Sequence, residues 1–127
     1  MFSRVEERDG NVVVVRFEPA SVDPQCTSLR EFGEQGHLVE DIHRIEKVRT
    51  KKFVFDFEDI ESPNGWLMSD VSRMLEIIEL LSRQRQVPAF GMNSACVVQL
   101  SARYREQVIL CRDLDDAVEK AMTLEVA

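Results

Sequence analysis

Between a run of aromatic residues and a long amphipathic segment lies FDFEDIESPNGWLMSDV, residues 55–71. Here Asp56, Glu58, Asp59 and Glu61 crowd their carboxylates beside the hydroxyls of Ser62 and Ser69. Groups of these kinds could hold a divalent cation, accept a phosphoryl group, act as nucleophiles or meet another protein. A phospho-accepting carboxylate site needs further acids after the first buried strand and a lysine after the last. Only Glu18 follows VVVVRF, and Arg112 rather than lysine follows VILC. A serine nucleophile needs a base and an orienting group, yet the G-x-S-x-G signature is missing.

Other chemistries fare no better. His37 and His43 stand six residues apart, on different faces of a helix, and no HExxH pair occurs. No glycine-rich phosphate loop is present. Cys26, Cys96 and Cys111 are odd in number and lack CxxC spacing, so they are expected as reduced, mostly buried thiols. The expectation is therefore a protein without catalytic residues, bound metal or cofactor, leaving contact with a protein as the use of the junction.

The elements that must position it follow from periodicity. A short strand over FSRVE, a turn at Asp9-Gly10 and a strand over NVVVVRF open the chain. Four valines in a row are too branched and too short for a helix, and predict a strand buried on both faces. Residues 18–36 carry prolines and glycines and predict a long loop. Leu38, Ile42, Ile45 and Val48 mark a one-sided helix over 37–48. KKFVFDF (51–57) is a strand with Phe53, Phe55 and Phe57 on one face, and residues 62–85 form the longest helix. QVPAFGM (86–92) is a strand whose proline points to an edge or a strand start. A helix capped by Asn93 or Ser94, a strand over EQVILCR (106–112) and a closing helix over DLDDAVEKAMTL complete the chain. Strands alternating with helices predict one α/β domain spanning 1–127.

The totals agree. A chain of 127 residues, 44% hydrophobic and 31% charged, can bury a core unaided. Its net charge of −7 disfavours nucleic acid and anionic lipid as partners, despite the basic stretch RIEKVRTKK at 44–52. No apolar run is long enough for a bilayer, and MFSRVEERDG lacks a secretory h-region, so a cytoplasmic location is expected.

On the long helix, Leu67, Val71, Met74, Ile78 and Leu81 fall on one stripe that must face the sheet. Trp66, Ile77 and Leu80, with Arg73 between them, fall on a second. That second stripe serves either a neighbouring helix or a partner, for which tryptophan and arginine are favoured anchors.

The segments NVVVVRF, FVFDFEDIESPNGWLMSDVSRML, QVPAFGM and VILCRDLDDAVEKA, in that order, resemble the STAS domain from about residue 3 to residue 122. This is the fold of bacterial anti-sigma-factor antagonists, also found at the C-terminus of sulfate transporters. The resemblance implies a mixed, mostly parallel sheet with helices packed mainly on one side, and regulation without catalysis. In the family's switch members an Asp-Ser-Ser-Gly turn opens the long helix, and a partner kinase phosphorylates its second serine. By position Gly65 is similar to the turn glycine and Asn64 stands where the phosphorylated serine would be. Pro63 replaces the other serine and Ser62 the aspartate. Asn64 can cap a helix but cannot accept phosphate.

The implied partner is an anti-sigma factor or related serine kinase. It is expected to meet Glu58, Asp59, Ser62, Asn64, Gly65, Trp66, Met68, Arg73 and Ile77. Ser62 and Ser69 are the alternative phosphorylation sites. A STAS module for a small ligand such as a nucleotide or anion, or a scaffold for another signalling partner, is the competing expectation. Whether two copies associate is left open.

Overall fold

The computed structural model describes residues 2–8, 11–18, 45, 47–61 and 65–124, with the backbone alone for 2–8, 18 and 65–70. The helix expected over 37–48 and the turn at Asp9-Gly10 lie largely or wholly outside these residues.

Strand β1 (Phe2–Arg8) pairs antiparallel with β2 (Val12–Glu18), Val5 opposite Val15. Asn11 leads into β2 at φ 68°, a left-handed conformation that asparagine tolerates better than most residues. A 3-10 turn (Val48–Thr50) delivers the chain to β3 (Lys52–Asp56), which runs parallel to β2. Helix α1 (Gly65–Ser82) connects β3 to β4 (Val87–Phe90), and α2 (Ser94–Tyr104) connects β4 to β5 (Val108–Leu110). Helix α3 (Leu114–Thr123) follows. The five strands lie side by side in chain order, β2 to β5 all parallel.

Valines 12–15 are all buried because the sheet is covered on both faces. On one face Val13, Val15, Phe53, Phe55, Val87, Ala89 and Val108 pack against Val71, Met74, Leu75 and Ile78 of α1 and Cys96, Leu100 and Tyr104 of α2. Phe57 stacks on Phe17 with ring centroids 4.9 Å apart. The other face has less cover. Val12, Val14, Val54 and Phe90 meet Ala117 and Ala121 of α3, whose C-terminal Leu124 carbonyl accepts a bond from Lys52 Nζ at 2.9 Å. Both crossover helices thus share one face, the arrangement expected from the resemblance.

One predicted boundary needs correction, and one alternative is decided. The long helix stops at Ser82 rather than Arg85, and Pro88 marks a strand start and not an edge, standing second in an interior β4. One cause explains both. Phe57 N–H donates to the Phe90 carbonyl, so alternation along β3 turns the peptide groups of Phe55 and Phe53 toward β4 as well. Opposite the Phe53 carbonyl stands Pro88, which has no N–H to give. The Gln84 side chain takes the place of the missing ladder. Its Oε1 accepts from Phe53 N at 2.6 Å, and its Nε2 donates to Phe53 O and to Gln86 O, each at 2.9 Å. To bring Gln84 there, the helix must end sharply. Arg83 adopts φ 60°, and its N–H closes on the Glu79 carbonyl at 2.9 Å.

Replacing Gln84 with leucine keeps bulk but strands two buried peptide groups, each costing about 1–3 kcal/mol. Urea unfolding should show a loss of about 2–4 kcal/mol at unchanged m-value. Arg83→Gly should instead stabilise, by roughly 0.5–1 kcal/mol, because glycine accepts the left-handed conformation without strain.

Candidate partner-docking site

The junction that opened the sequence reading is built at the carboxyl end of β3, where open α/β sheets present their binding loops. Its foundation is Asp56, 1% exposed. Asp56 stands in register with Arg16 on β2, whose Nε donates to Asp56 Oδ2 at 2.9 Å. The other oxygen, Oδ1, accepts from the N–H of Glu58 at 2.8 Å, bending the chain two residues on. The bond and charge of Asp56 hold the half-exposed Arg16 guanidinium above its ordinary pKa, against a smaller opposing effect of burial. Asp59 and Glu58 add to the rise. With both oxygens bonded, Asp56 is a brace for the turn and not a displayed phosphoryl acceptor.

From the side, the turn is fixed by the segment after β4. Gly91 has φ +78° and lies against Glu58; a Cβ there would come within 2.8 Å of the Glu58 backbone nitrogen. Asn93 works in two directions. Its Oδ1 caps α2 by accepting from Cys96 N at 2.9 Å, and its Nδ2 donates to the carbonyls of Glu61 and Ile60. Ile60 itself is buried. The outcome is a hard turn with an apolar underside and three exposed acids, Glu58, Asp59 and Glu61, on top.

Of the expected contact residues, Glu58 and Asp59 are exposed on this turn, and Gly65 is the first residue of α1. Trp66, Met68 and Ser69 belong to the first turns of α1, their side chains outside the description. Ser62 and Asn64 lie outside the described residues. Arg73 is exposed on α1, whereas Ile77 is half-buried against the core. The second stripe therefore divides. Ile77 belongs to the margin of the core, and Leu80 is 78% exposed.

Sequence reasoning missed Arg16, Gly91 and Asn93 as parts of this site. A signal existed for Arg16. It interrupts a buried valine strand with a charge at the position that parallel pairing sets opposite Asp56. Cys26 lies outside the described residues; of the other two thiols Cys96 is buried and Cys111 half-buried, and desolvation pushes both pKa values up, leaving neutral thiols. Among the described residues no cluster of potential metal ligands occurs, and no helix is long and apolar enough to cross a membrane.

Gly91→Ala should cost about 1–3 kcal/mol, from left-handed strain and overlap with backbone, and should move the amide resonances of residues 58–61. Asp56→Asn keeps the acceptor for Glu58 but sets an NH2 group against Arg16 Nε. A loss of about 1–3 kcal/mol in urea unfolding is expected.

No family model matches the chain, and no curated protein matches it. Solved structures do, among them these two. One, from work on the molecular architecture of the stressosome, a signal integration and transduction hub, superposes with a TM-score of 0.68 at 20% identity. It covers 94% of this chain and 96% of that one. A serine-to-glutamate variant of RsbS from Moorella thermoacetica superposes with a TM-score of 0.62 at 16% identity, covering 94% of both chains. At such identities the likeness is one of architecture, and it agrees with the resemblance carried by the sequence segments: the chain has a STAS-type fold.

Proposed function

We propose that this protein is a regulatory module that acts by docking a protein partner, an anti-sigma factor or a related serine kinase, and performs no reaction of its own. The observation that carries this reading is the rigid acidic turn of Glu58, Asp59 and Glu61, braced by Asp56, Gly91 and Asn93 and followed in the sequence by α1. A preorganised knob loses little entropy on binding, and its charge speeds encounter with a basic surface. The two similar folds support the class of function, one being part of a signal integration and transduction hub.

Within this reading, partner contact extends from the turn through Asn64, Gly65, Trp66 and Met68 to Arg73. Asn64 occupies the position at which switch members of the resembled family carry the phosphorylated serine. A phosphate there would oppose docking by charge and bulk. With asparagine the module binds without that control, unless Ser62 or Ser69 supplies it. The setting is the cytoplasm.

Tagged protein should capture the partner from lysate of the native cell, to be identified by mass spectrometry. Trp66→Ala should weaken capture by about tenfold or more. Asn64→Asp, adding a charge at the centre, should do the same. Glu119→Lys, on exposed α3, should leave it unchanged. Equal capture by all variants would refute the docking surface.

A further inference from the structure

A second surface lies at the opposite margin of the sheet. Strand β5 bonds to β4 on one side, and among the described residues no strand pairs with its other side. Val87 N–H donates to the Gln107 carbonyl and Cys111 N–H donates to the Ala89 carbonyl, both at 2.8 Å. Residues 107, 109 and 111 thus turn their peptide groups inward, and alternation turns those of Val108 and Leu110 outward. Open edges are blunted by short strands, lysine, proline or a bulge. At three residues β5 is short, and its Val-Ile-Leu carries neither lysine nor proline.

Beside the edge, α2 leaves a groove of about 760 Å³ lined by Val97, Val98, Leu100, Ser101, Val108 and Leu110. Val98 is 65% exposed and Leu110 42%, so apolar groups flank the free peptide groups. The charges flanking the strand are antisymmetric about it. Exposed Arg105 and Glu106 precede it, and Arg112 and Asp113, also exposed, follow it.

Such a surface is complementary to itself when reversed. A two-fold axis midway between the Ile109 residues of two copies sets Val108 of one copy opposite Leu110 of the other, where their outward peptide groups exchange hydrogen bonds. The same operation seats each Leu110 beside the Val108 wall of the other copy's groove. It also brings Arg105 and Glu106 of each copy toward Asp113 and Arg112 of the other. We propose that β5 pairs antiparallel with β5 of a second copy, joining two sheets into one and closing the groove beneath α2. The interface is small and the copies are each negatively charged, so association is reversible, of roughly micromolar order or weaker.

Sedimentation equilibrium of the full chain over a wide concentration range should show a monomer–dimer equilibrium. Leu110→Lys, at a half-exposed site, should weaken it at least about tenfold while leaving the circular dichroism spectrum and melting temperature unchanged. The charge pattern supplies an independent check of direction. Glu106→Arg and Arg112→Glu, both at exposed sites, should each dimerise poorly alone. Mixed together they should form a heterodimer, because each seam then joins opposite charges. A wild type that stays monomeric, a dimer indifferent to Leu110→Lys, or failure of the charge variants to rescue each other would overturn the proposal.

Discussion

The structure turns on the demands of β3. Both of its faces are covered, Phe53 and Phe55 by α1 and α2 and Val54 by α3, so its peptide groups have no access to water. A buried peptide group without a partner costs more than most single contacts contribute. Neighbouring strands satisfy only part of the strand, since β4 pairs with it at Phe55 and Asp56 alone. At the upstream end, the Gln84 amide imitates a length of backbone for Phe53. At the downstream end, the carboxylate of Asp56 receives the amide of Glu58 and begins the turn. Where the long helix stops and how the acidic turn is shaped both follow from completing the hydrogen bonds of this one strand.

The same constraint explains why the turn can be acidic and rigid together. Three exposed carboxylates in a row repel each other, and a loose loop would spread them apart. Here the backbone beneath them is tied to β2 through Arg16 and to the start of α2 through Asn93. The cation at Arg16 also offsets part of their mutual repulsion, as its raised pKa records. The fold therefore supplies a polar surface with little internal freedom, which suits recognition better than turnover.

Much of this was legible in the residues. Four valines and the Phe-x-Phe-x-Phe spacing announce two-sided strands, and strand–helix alternation dictates parallel neighbours. What stayed hidden depends on partners remote in the chain. Pro88 suggested an edge or a strand start because the rule for proline concerns a missing donor, and nothing local reveals that Gln84 can replace what is missing. Gly91 looks like an ordinary strand terminator until its contact with Glu58, thirty-three residues away, is seen. The second stripe on α1 is not one surface: Ile77 packs against the core and Leu80 is exposed.

The position of α3 has a consequence for biosynthesis. Val12 and Val14 are translated about a hundred residues before Ala117 and Ala121, which cover them. Until then one side of the growing sheet lacks that cover and shows valines to water, a sticky intermediate that aggregation can intercept. Closure of this face therefore waits on the translation of α3.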